Sequence, residues 1–211
     1  MLGEGVRDER HGSLWTFMLG TGCRFGEAAG LTWANLDMEE GIANIRQQVT
    51  RERADGKVRY ILSPTTKSDA GQRDLPLPTW VVAALRVQRS RVAEMRLAAG
   101  PAWQDHDLVF PSDSSRPLQE NHVLVVWHRT LKALGFEADG KPPVRMHDLR
   151  HTKGTLMIDE GEELVVVQRT LGHARQSITA DLYVGKVPKA LRKAADRFGE
   201  LLDPDRRAAS S

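Results

Sequence analysis

His147 and His151 stand four residues apart in the stretch HDLRH, a spacing that puts both imidazoles on one face of a helix and admits a metal-binding pair. A zinc hydrolase of that pattern needs glutamate directly after the first histidine as general base. Here Asp148 holds that position and Arg150 lies between the rings, where a guanidinium opposes a dication. A purely structural histidine pair is a second reading. In a third, His147 and Arg150, three apart and also neighbours on the helix, present hydrogen-bond donors to an anion. Arginine suits phosphate because its planar fork donates two parallel bonds and keeps its charge at any working pH. Arg24, in the glycine-flanked turn TGCRFG, is another anion donor or a structural residue, and His173, after Gly172, is a helix cap or a further donor. Tyr183, one of two tyrosines in 211 residues, serves either for its ring or for its phenolic oxygen.

The elements that would carry these groups follow from periodicity. Residues 14–31 (LWTFMLGTGCRFGEAAGL) predict a helix, a tight break near Thr21 and Gly22, and a second helix beginning about Arg24. Runs at 42–49, 58–63 and 72–77 alternate and are separated by ADG and SDAG, the turn chemistry of a small three-stranded antiparallel sheet. Lys67 falls between the second and third of these strands. From residue 79 the pattern is helical up to Gly100, with Thr79 as N-cap. A second amphipathic stretch, 118–135, has Leu124, Trp127, Leu131 and Leu134 on one stripe. Three more helices are expected at 146–161, 162–173 and 187–202, two of them stopped near Gly161 and Gly172. The fold class is therefore α+β and mainly helical, in one domain.

Composition narrows the function classes. Formal net charge is only +2, yet residues 46–73 hold seven Lys or Arg against three Asp or Glu, a mild local excess. Cys23 is the only cysteine, which excludes an intrachain disulfide and favours a reducing, intracellular setting. The opening MLGEGVRDERHG is too polar for a secretory signal, and WVVAAL and LVVV are far too short to span a bilayer. A soluble protein without a membrane partner is expected.

TGCRFGEAAGLTW, TKSDAGQRDLPL, HDLRHT and LGHARQSITADLY, in that order, resemble the motifs of the catalytic domain of the tyrosine recombinases, the phage integrase family. The resemblance runs from about Leu14 to Val187. It implies a catalytic set of Arg24, Lys67, His147, Arg150, His173 and the nucleophile Tyr183, with Glu27 in support. It also implies residues 1–202 as the catalytic domain, an N-terminal DNA-binding domain absent from this sequence, and a disordered tail at 203–211. Lys153 departs from the bulky apolar residue usual at its position.

The activity so implied is cutting and rejoining of double-stranded DNA through a 3′-phosphotyrosyl link, by a homotetramer on paired sites in the bacterial cytoplasm, with no cofactor and no metal. Arg51, Arg53, Arg86, Arg89 and Lys153 are the candidate DNA contacts. Two alternatives stand beside it. One is a type IB topoisomerase-like activity, which shares the phosphotyrosyl step. The other is a DNA-binding or assembly module that cannot cut on its own.

Overall fold

In the computed structural model, which describes residues 9–64, 72–136 and 143–172, the first helix α1 (Gly12–Thr21) is buried on nearly all sides. Leu14, Trp15, Phe17 and Met18 point in several directions and each finds core, as expected of a helix apolar all round. Trp15 meets Trp127 edge-on at 5.1 Å between ring centroids, and Phe17 lies 5.9 Å from Phe110. The helix stops at Gly22, whose φ of 72° is left-handed and whose N–H donates to the Met18 carbonyl at 2.8 Å. This is the break expected near Thr21 and Gly22. A five-residue helix α2 (Phe25–Ala29) follows, with Arg24 as its N-cap.

The β structure differs from expectation in its partners. Strands β1 (Leu36–Asp37), β2 (Ile42–Ile45) and β5 (Arg73–Pro76) form a three-stranded antiparallel sheet in the order β1-β2-β5, with Ala43 opposite Leu75 and Ile45 opposite Arg73. Among the described residues, strands β3 (Gln47–Ala54) and β4 (Lys57–Pro64) pair only with each other, as a separate hairpin. The run read as one strand over 42–49 is thus cut at Arg46, whose guanidinium bonds Asp74 at 2.5 Å and reaches the carbonyls of Ile45 and Arg73. The side chain that interrupts the strand also ties β2 to β5. At the hairpin tip Asp55 and Gly56 have φ of 51° and 71°, the paired positive values of a two-residue primed turn. At its base Val49 is buried and Leu62 packs on the core.

Helices α3 (Thr79–Ala99), α4 (Glu120–Ala133), α5 (Asp148–Asp159) and α6 (Leu164–Leu171) complete the described chain. In α4 the expected stripe holds for Trp127, Leu124 and Leu131, while Leu134 caps the helix and is 39% exposed; Val123 and Thr130 are buried in its place. Helices α5 and α6 join through Ile158, Val167 and Leu171. The helix expected at 187–202 lies outside the described residues. Among the described residues no helix is long and apolar enough to cross a membrane.

Candidate active site

The turn between α1 and α2 is the floor of the site. Gly22, left-handed at φ 72°, lies at a close junction: a Cβ there would sit 2.6 Å from the end of the Leu171 side chain of α6 and 3.4 Å from the stem of Lys153 on α5. Three helices therefore converge on one residue, and Arg24 and Arg150 emerge beside it.

Glu27, 3% exposed, organises the first of these arginines. Its carboxylate accepts the Arg24 backbone N–H at 2.9 Å and Arg24 Nη1 at 3.0 Å. It also accepts a two-pronged bond from Arg73, at 3.1 Å and 2.8 Å. Burial alone would raise the carboxyl's pKa. The Arg73 fork and the Arg24 N–H and guanidinium outweigh it and hold Glu27 below the ordinary carboxylate range, ionised. Arg24 is left half-exposed, with one bond to Glu27 and a long one of 3.5 Å from Nη2 to the Gly172 carbonyl.

Arg150, from the first turn of α5, is 3% exposed. Nη1 donates to the Gly22 carbonyl at 2.7 Å, while Nη2 is buried and finds no acceptor among the described residues. Burial, and then the charge of Arg24, lowers its pKa to about 10, so it stays cationic at neutral pH. A buried guanidinium edge without a partner is costly unless an anion meets it.

His147 is the residue immediately before α5 and is half-exposed, its ring 4.8 Å from that of His151 in an edge-on arrangement. Its pKa lies below the usual histidine value because of burial and then the charges of His151, Arg150, Arg24 and Arg145. At neutral pH the ring is therefore neutral and able to take a proton. Asp148, where a zinc hydrolase would need its base, is held by Arg145: it accepts the Arg145 N–H at 2.8 Å and the guanidinium at 2.9 Å and 3.2 Å. Among the described residues no three His, Cys, Asp or Glu side chains gather as a metal site.

The structure brings together Arg24, Glu27, His147 and Arg150, with the stem of Lys153 alongside. Lys67, His173 and Tyr183 lie outside the described residues. Arg51 and Arg53 are exposed on the hairpin, opposite Tyr60 and Val58. Arg86 is exposed on α3, and Arg89 is engaged over the Trp33 ring at 5.6 Å. Sequence reasoning missed Arg73. Its signal was present, because strand alternation puts residue 73 in phase with Leu75 and Leu77, both buried, and a charge on that face needs a buried partner.

The sequence model of the phage integrase family matches residues 4–189. The chain belongs to the phage integrase family. Among curated members it is similar to a tyrosine recombinase XerC-like protein of Caldanaerobacter subterraneus, 27% identical over 94% of this chain and 51% of that protein. It also resembles an integrase of Streptomyces ambofaciens, 30% identical over 83% of this chain and 44% of the relative. It thus spans about half the length of these phage integrase family members. Its fold is shared with the Tn1549 transposon integrase solved in complex with transposon right end DNA, at a TM-score of 0.71 and 22% identity over 91% of this chain and 61% of that one. It is shared too with the XerA recombinase, at a TM-score of 0.61, 23% identity and coverage of 92% and 57%.

Proposed function

We propose that this chain is the catalytic portion of a site-specific DNA recombinase that cuts and rejoins double-stranded DNA through Tyr183. The observation that carries the reading is the buried Arg150 edge, which finds no acceptor among the described residues, next to a half-exposed Arg24 and a neutral His147. Two cationic forks and a proton acceptor match what a phosphodiester presents, an anion with two non-bridging oxygens. Membership of the phage integrase family and the motif resemblance support Tyr183 as the nucleophile.

In the proposed reaction the phenolic oxygen of Tyr183 bonds to the scissile phosphorus as the bond to the 5′ oxygen breaks, leaving a 3′-phosphotyrosyl link. At pH 7 forming a free phenolate costs roughly 4 kcal/mol, so the proton must have somewhere to go. His147 accepts it. Lys67 protonates the departing 5′ oxygen, and Arg24, Arg150 and His173 hold the charge that builds on the phosphate. A 5′-hydroxyl from a partner strand reverses the step and completes exchange. A homotetramer on paired sites arranges the strands, and Arg51, Arg53 and Lys153 add phosphate contacts. Every charge in this scheme is a side chain, so the reaction needs no divalent metal.

Incubation with nicked duplexes taken from the DNA flanking its own gene traps the link, because the nick lets the leaving strand diffuse away. The wild-type chain is expected to form a covalent adduct in EDTA, and Tyr183→Phe none. A wild type that retards DNA but forms no adduct is a binding module, and a strict magnesium requirement refutes the metal-free mechanism.

A further inference from the structure

Arg73 is unlike the other two arginines around the site, because every nitrogen of its guanidinium already donates within the protein. Its side chain is 9% exposed, and all three guanidinium nitrogens are engaged. Nη1 and Nη2 go to the two oxygens of Glu27 at 3.1 Å and 2.8 Å, Nε goes to the Thr170 carbonyl in the last turn of α6 at 3.0 Å, and Nη2 also faces Cys23 Sγ at 3.9 Å. Arg73 therefore cannot serve as a phosphate ligand without dismantling these bonds. What it does touch is the carboxylate that fixes both the backbone and the guanidinium of Arg24.

We propose that Arg73 is a positioning residue for phosphoryl transfer, which sets Arg24 through Glu27 and locks the end of α6 to the start of β5. The proposal rests on the catalytic reading above and extends it to a residue that does not meet the DNA. Without Arg73, Glu27 keeps only Arg24 as a hydrogen-bonded cation among the described residues. A buried carboxylate then either pulls the Arg24 fork fully onto itself or takes up a proton and lets Arg24 go. Either change moves a donor aimed at the phosphate, and a displacement of about 1 Å in such a group costs about 100-fold in rate. The carbonyl at Thr170 matters as well. It lies three residues before His173 in the chain, and Arg73 six after Lys67, so one guanidinium anchors the described ends of two segments that carry proposed catalytic groups.

The test uses the 211-residue chain and the nicked duplexes described above, with single-turnover adduct formation and DNA retardation measured side by side. Arg73→Gln is expected to slow adduct formation about 100-fold while leaving the DNA affinity close to wild type. Arg73→Lys, which keeps the charge without the fork, recovers only part of the rate. Because Arg73 acts through Glu27, the double variant Glu27→Gln with Arg73→Gln loses no more rate than Glu27→Gln alone. If Arg73→Gln fails to fold, Arg73→Lys carries the comparison, alone and with Glu27→Gln. An adduct rate that survives either Arg73 change, a loss matched by equal loss of DNA affinity, or additive effects with Glu27 overturns the proposal while the catalytic reading stands. A wild type that forms no adduct overturns both.

Discussion

Arg150 combines one fixed edge with one buried edge that no described residue meets, and the two have different jobs. The bond from Nη1 to the Gly22 carbonyl, 2.7 Å long and buried, orients the planar group, so Nη2 stays aimed although nothing described accepts from it. A lysine in its place keeps a positive charge only in part, because burial lowers an ammonium's pKa readily, and it cannot hold the carbonyl and a phosphate oxygen at once. Arg150→Lys is therefore expected to lose about 100- to 1,000-fold in adduct formation, the usual cost of one donor aimed at a developing charge, and to retain DNA retardation. A variant within tenfold of wild type, roughly 1.4 kcal/mol, would mean that Arg150 is a structural tie to Gly22 and not a phosphate donor. The sequence of HDLRH left three readings open because helical spacing alone does not say which neighbours are buried. Two observations weigh toward the anion reading: Asp148 is bound to Arg145, and Arg150 is sunk beside Arg24.

The elements were legible where local signals coincide with packing and less so where long-range pairing decides. Gly22, Gly100, Gly161 and Gly172 all have positive φ and follow helices near the positions their sequence context indicates. Strand partners were not, since alternation reports a face and not the neighbour across the ladder. Arg46 and the short β1 redistributed what reads as one three-stranded sheet into a sheet and a separately paired hairpin. What holds that hairpin against the site is a pair of glycines in and just after α2. A Cβ on Gly30 would lie 2.8 Å from the Gln48 Cα and 3.0 Å from its carbonyl carbon, both backbone atoms of β3. No side-chain adjustment relieves such a clash, so Gly30→Ala must push β3 off α2, at about 1 to 3 kcal/mol. The melting temperature is expected to fall by roughly 3 to 10 °C for a chain of this size. An unchanged melting temperature would mean that the hairpin rides freely on α2.

At the scale of the whole molecule, acid should loosen the fold at the end of α1 opposite the candidate site. His11 is 9% exposed at the helix N-terminus, its ring 6.1 Å from that of Trp15 in the central core. Burial, followed by the charges of Arg10 and Arg91, lowers its pKa to about 4 against the opposing pull of Glu9 and Asp113. The same corner ties the described start of the chain to α3 and α4: Arg91 donates to the Arg10 carbonyl at 2.6 Å, and Arg129 reaches the Glu9 carboxylate at 3.2 Å. Unfolded, His11 titrates near 6.5, so between that pH and about 4 the unfolded chain binds the proton more tightly. Stability is therefore complete above pH 6.5 or so, declines as pH drops through this window, and levels off below the folded pKa. The loss has an upper bound of about 3 kcal/mol, reduced by the ring's residual contact with solvent. Glu27 acts in a lower window, since its depressed pKa keeps the Arg73 bond intact until the pH is below the ordinary carboxylate range. Urea unfolding at a series of pH values separates the two: His11→Gln should flatten the decline between pH 6.5 and 4.5, whatever its effect on absolute stability, and leave the steeper loss at lower pH in place. An identical slope in wild type and variant would assign the acid sensitivity to another group, with His147, whose pKa is also depressed, next in line.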